Sequence, residues 1–312
     1  MAKRSGLGSA FYVGSRDVSG DVGAINSAAT SRALQDVSSI QSSGTERIVL
    51  RSDGEISYTA FWNPAAARSV ATFSDLANAH ELVSWADGTA LGSYCASLWA
   101  HKVTFQTVSG QDGSLGITGQ ALGSLGTKLE WGQLLTIGKQ TFAATAAIAS
   151  WTANTPYSLN DLVVPTTANG HYYKTTTAGT SHITDEPTWP TNGTTVADGT
   201  AVWTDQGLLP NGLDDLFPRT GTTSTAFGLA AYVHLISIGS GSITFTVQDS
   251  ANRIAWANVT GGGFTAMTAA GAQRIQTATN GTVRRYVRVH PTGTFTNAVA
   301  VVNYVRYLNQ QP

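Results

Sequence analysis

From residue 229 onward the sequence breaks into short runs of β-forming residues separated by glycine turns. The runs are Leu229–Ile238, Ile243–Gln248, Ile254–Val259, Ala272–Thr277, Val283–His290 and Thr294–Leu308. Between them stand Gly239-Ser-Gly-Ser242, Gly261-Gly-Gly263 and Asn280-Gly281, where glycine accepts backbone angles that other residues avoid. Runs this short leave no room for a helical bundle. They predict an antiparallel β-sandwich or jelly roll. In Val283–His290 the alternation puts Arg284, Tyr286, Arg288 and His290 on one face, and Val283, Val287 and Val289 with Arg285 on the other.

The first 147 residues also read mainly as strands. Arg47–Arg51 and Glu55–Trp62 flank Ser52-Asp53-Gly54, and Asp-Gly between β-formers signals a hairpin turn. A second hairpin is expected from His101–Val108 and Ser114–Leu122, joined through Ser109–Gly113. In its first strand Val103, Phe105 and Thr107 alternate with Lys102, Thr104 and Gln106, the period of a sheet covered on one face. Asp17–Gly44 reads as a long loop. One helix is predicted over about Ser74–Ala86, capped by Ser74 or Asp75, with Leu76, Ala79 and Val83 at helical spacing. The fold class expected is mainly β: a β-sandwich with one packed helix, a small aromatic insertion, and a C-terminal antiparallel sandwich or jelly roll.

Charge divides the chain into three units: 1–147, 150–208 and 209–312. The first is near balance. The second carries Lys174 against Asp161, Asp185, Glu186, Asp198 and Asp205, and the third carries seven arginines against three aspartates. Ala143–Ser150 and Leu208–Thr225 read as the linkers. Charged residues make up 12% of the 312, against the ~25% usual in soluble domains. A chain so poor in charge is suited to hiding uncharged surface against copies of itself. The net charge of −1 and pI near 6.6 argue against a basic nucleic-acid binder. No apolar run approaches a membrane span, and the opening residues lack the apolar core of a secretory signal.

Catalytic constellations are absent from the sequence. There is no phosphate-binding glycine loop, no HExxH and no Gly-x-Ser-x-Gly elbow. The histidines do not cluster, so no metal or cofactor is expected. Asp185-Glu186 is an adjacent acidic pair whose side chains point apart in an extended loop, unlike a glycosidase pair. Cys95, the one cysteine, lies in an apolar stretch and reads as a buried structural thiol. No enzymatic activity is expected.

Residues 151–207 contain Trp151, Tyr157-x-x-x-Asp161-x-Val163, Asn169-Gly-x-Tyr-Tyr173, Pro187-x-Trp189 and Trp203. This pattern resembles an aromatic-rich module of phage virion proteins and is similar to chitin- and cellulose-binding modules. Two readings stand side by side. A unit of this size needs large aromatics for its core, and an exposed aromatic stacks on a sugar face. Trp189, Tyr172, Tyr173 and Trp151 are the carbohydrate candidates. Trp189 is expected to be the most exposed, Tyr157 and Trp203 core, and Tyr172 and Tyr173 to face opposite ways.

Phe11–Ile25, Arg51–Pro64, Leu129–Thr136, Val283–Val289 and Gly293–Ala298 resemble major tail proteins of long-tailed bacteriophages. The resemblance implies a virion subunit that closes into rings, usually six-fold, stacked into a hollow tube. Its partners would be copies of itself, tape-measure, tail terminator and baseplate proteins, with DNA passing through the lumen unbound. It would be made in the host cytoplasm and act in the virion. The alternative is a receptor-binding, fibre or baseplate component holding host-surface glycans. Asp53, Gly54 and the 17–44 segment are candidate assembly contacts. Arg284 and Arg288 are expected outside the lumen or paired with acids at subunit interfaces, because a cationic wall would retain DNA.

Overall fold

The computed structural model describes residues 8–76, 80–124, 126–142, 149–167, 169, 171–208, 224–251 and 256–307. The two expected linkers fall largely on 143–148 and 209–223, outside the described residues. The chain is mainly β, as the short runs and glycine turns predict. All strand pairs are antiparallel except Ala149–Ser150 with Val163–Val164.

The N-terminal part supplies β1 (Ala10–Val13), β2 (Val22–Asp36), β3 (Arg47–Phe61), β4 (Glu81–Ala86), β5 (Tyr94–Ser109), β6 (Leu115–Gly123) and β7 (Glu130–Leu134). The middle supplies β8 (Leu162–Val164), β9 (His171–Thr177), β10 (Thr195–Asp198) and β11 (Ala201–Leu208). The rest supplies β12 (Leu229–Ser237), β13 (Thr244–Ser250), β14 (Ala257–Gly263), β15 (Gly271–Gln276), β16 (Tyr286–Thr292) and β17 (Ala298–Arg306).

The strands stack in four layers. In β4 and β5, Val83, Ala96, Leu98 and Ala100 face β3 and β6, packing with Ile56, Tyr58, Ala60, Ile117 and Phe73. The alternate residues face the other way. Leu82 packs with Ala230, Tyr232 and Val305, and Ala86 and Cys95 pack with Val301. The opposite face of β12 and β17 (Ala231, Val233, Leu235, Ala300, Val302) packs on Phe245, Val247, Val287 and Val289 of β13 and β16. The two middle layers are therefore buried on both faces. The turn between them is made by β7, which pairs with β5 on one side and β17 on the other.

Between the middle layers lies a chain of polar groups. His234 Nδ1 donates to the Gly14 carbonyl at 2.7 Å, which leaves Nε2 to accept from the Ser84 hydroxyl at 2.8 Å. Ser97 lies 2.7 Å from Ser84 and 3.2 Å from the Asn303 amide oxygen. Burial pushes the His234 pKa down to about 4 from 6.5. The folded state holds the ring neutral and the unfolded state does not. This stability is present in full above pH 6.5 and is lost as pH falls toward 4, by about 3 kcal/mol. Urea unfolding across that range should show the loss, and His234→Gln should flatten that part of the profile.

Several expectations are corrected here. The helix is Ser69–Phe73, not Ser74–Ala86. Glu81–Ala86 is a strand whose two faces are both covered, and of the three residues at helical spacing only Val83 lies in it. Residues 77–79 of that segment lie outside the described ones. Asp53-Gly54 makes no turn, since β3 runs straight through it. The long loop 17–44 is largely β2, paired with β3 from Val22–Ala60 to Asp36–Arg47. The second hairpin is present as β5 and β6, closed by Gly110 N–H donating to Ser114 O at 2.8 Å. Its period-two pattern is broken by a bulge between Lys102 and Thr104. The bulge buries Lys102, which donates to Thr72 O at 2.6 Å and pairs with Glu81 at 2.9 Å, and it leaves Val103 exposed.

Candidate functional site

The most exposed apolar surface lies on an arm. β2 and β3 stay paired well past the point where β6 stops covering β3, at Glu55–Leu122. From Ser31 to Arg51 every residue except Ser42 is exposed. The six residues of β2 beyond Thr30 reach roughly 20 Å at ~3.3 Å each. The tip is tied down by its own bonds. Asp36 accepts from Ser38 N–H at 2.8 Å, and Ser38 Oγ accepts from Glu46 N–H at 2.7 Å. Along this arm Leu34, Val37, Ile40, Ile48, Val49 and Leu50 stand in solvent, Ile40 completely. No described strand pairs the outer edge of β2, and a long unpaired edge without proline or lysine is a template for another chain.

A second apolar surface sits at the other end of β3, about 40 Å away at ~3.3 Å per residue. Phe61 and Trp62 are exposed there, and the Trp62 ring stands 6.5 Å from that of Phe105. Exposed Val103, Val108 and Leu115 lie on the neighbouring β5 and β6. Two separate patches of this kind mark interaction surfaces. Sequence reasoning missed the second; part of the first lies in the 17–44 segment, which reads in the sequence as a contact loop and not as a strand. The signal for the first was the unbroken apolar trio of Arg47-Ile-Val-Leu-Arg51, which has no polar alternation to give it a solvent face.

Of the residues expected to make contacts, the 17–44 segment runs into the arm, and the named single residues lie outside both patches. Gly54 is buried at the root of the arm, where an added Cβ would stand 2.4 Å from Leu129 N. The glycine serves a close crossing of two backbones, not a turn. The Asp53 carboxylate accepts its neighbour's N–H from Gly54 at 2.7 Å. Arg284 pairs with Asp249 at 3.3 Å, and its N–H donates to the same carboxylate at 2.7 Å. Arg288 lies over the Trp256 ring at 4.3 Å and donates to Gln248 Oε1 at 2.8 Å.

The aromatic module is built on β8, β9, β11 and β10, paired in that order. Its core is Trp151, Val163, Tyr173, Ala201 and Trp203. Trp151 and Trp203 both donate through Nε1 to Asp198 Oδ2, at 2.7 and 2.8 Å. Tyr157 is half-buried, its ring edge-on to Trp203 at 4.7 Å. Tyr173 is fully buried and Tyr172 half-exposed, as alternation along β9 requires. Trp189 is not the freely exposed ring that its loop position suggested. It is half-buried, stacked 4.3 Å from Tyr173, with its indole donating to Glu186 at 2.8 Å. Burial works to raise the Glu186 pKa, but donors from Thr166 and Trp189 outweigh it and hold the carboxylate below its ordinary value. Asp185 points away, toward His182. Of the four sugar candidates, only Tyr172 and Trp189 keep accessible surface.

No protein-family model and no curated protein matches the sequence. Among solved structures the chain is similar to the Dit protein of phage SPP1, described as a paradigm of the hub adsorption apparatus in phages infecting Gram-positive bacteria. The identity is 8% and the TM-score 0.29, over 96% of this chain and 99% of that one. It is also similar to a chain of the phage P2 baseplate in its activated conformation with Ca, at 9% identity and TM-score 0.24, with the same coverage.

Proposed function

We propose that this chain is a structural subunit of a bacteriophage tail that works by associating with copies of itself. The observation that carries the reading is the arm, with an unpaired strand edge and exposed apolar side chains at one end of β3 and a separate apolar patch at the other. Two different patches on one molecule support head-to-tail contacts, which close into rings or continue as filaments. The likeness of Phe11–Ile25, Arg51–Pro64 and Val283–Val289 to tail proteins supplies the setting. The finer reading is the tail-tube subunit, in stacked rings around a DNA-conducting lumen. Tape-measure, terminator and baseplate proteins would be its neighbours. Units 1–147 and 209–312 would build the wall together, because they share one sheet through β7 and β17. Unit 150–208 would decorate its outside.

Light scattering and negative-stain microscopy of concentrated protein test this. Rings or tubes are expected, and a chain that stays monomeric at every concentration defeats the reading. Deleting 151–207 is expected to leave assembly intact, since the module forms its own sheet. A folded deletion variant that fails to assemble would place contacts in the module.

A second reading rests on the accessible edges of Tyr172 and Trp189: a baseplate or receptor-binding component that holds glycans. Glycan-array binding abolished by Trp189→Ala would favour it.

A further inference from the structure

At the root of the arm is a cavity of about 510 Å³, large enough for a small ligand. Arg32 and Arg51 enter it from the two arm strands, and Lys128 and Arg274 from the body, with Glu130 in its lining. Glu130 is already engaged. One carboxylate oxygen accepts from Arg274 at 2.9 Å and the other from the Tyr307 hydroxyl at 2.5 Å. Arg32 and Arg51 have no ion pair with any described residue. Arg32 stands opposite Ser52, the residue after Arg51, and both arginines line the cavity. Ser52 also contributes to the lining. What remains open is rich in donors and lacks a free anion.

We propose that this cavity binds a phosphate-class oxyanion, held by the Arg32 and Arg51 guanidinium groups. Arginine matches phosphate oxygens through paired N–H groups. The site stands independently of the assembly reading, because its ligand is not a second copy of the chain.

Calorimetry of the full chain with pyrophosphate at low ionic strength tests it. Binding is expected in the millimolar range or tighter, weakened about tenfold by each of Arg32→Gln and Arg51→Gln. Arg47→Gln removes the same charge from the arm tip, outside the cavity, and should change little. A thymidine oligonucleotide run in parallel separates the sources. Tighter binding than pyrophosphate assigns the site to a polymer-borne phosphodiester, and weaker binding to a free phosphate. No binding of either probe, or binding that survives in the double variant, overturns the proposal. Loss of self-association in the double variant, with no anion bound by the parent, would instead give both arginines to contacts between copies.

Discussion

Replacing Leu34, Ile40 and Val49 together by serine is expected to leave a folded protein that no longer assembles. All three stand largely in solvent, 57%, 106% and 57% exposed, so the isolated subunit gains little from them. Covering each against a neighbour is worth roughly 1.5–3 kcal/mol. Removing three weakens association by roughly 4.5–9 kcal/mol, or about 10³–10⁶-fold. The circular dichroism spectrum should match the parent while light scattering shows only monomer. Assembly that persists would take the arm out of the interface. Loss of the folded spectrum would show that the arm braces the subunit internally.

The second large effect is expected at Gly132, in the strand shared by the two middle layers. A Cβ there would stand 2.0 Å from Tyr304 O and 2.8 Å from its carbonyl carbon. Backbone cannot yield as a side chain does, because Tyr304 is held in register against Gln133. Gly132→Ala should therefore cost about 3 kcal/mol or more, read as a large drop in the urea midpoint or loss of soluble protein. Gly263→Ala is the control, since nothing lies within 4 Å of its Cβ position. Equal behaviour of the two variants would contradict the close approach of β7 and β17.

Sequence patterning was informative where one face of a strand is wet. Val283, Val287 and Val289 are buried while Arg284 is exposed, and Tyr172 and Tyr173 divide between faces as alternation demands. It failed where both faces are dry. Glu81–Ala86 has no polar side to reveal period two, so a fortuitous helical spacing decided the reading. Asp53-Gly54 failed for another reason. The same glycine that permits a turn also permits two backbones to cross, and only the later segment at Lys128–Leu129 shows which is used. Trp189 sits in a loop, but loop position does not say whether a ring folds back onto a core. The arm reads in the sequence only as a contact loop over 17–44, because its length as a strand depends on where a third strand stops, a fact held in residues some seventy positions away.

The double pairing of β7 also sets a schedule for synthesis. When residue 134 has been made, one apolar side of β4 and β5 still awaits β12 and β17, which are complete only after Arg306. At ~5–20 residues per second a ribosome takes roughly ten to thirty seconds to supply them. Through that interval the nascent chain displays a bare hydrophobic sheet, and a chaperone able to shield it would decide how much of the product survives.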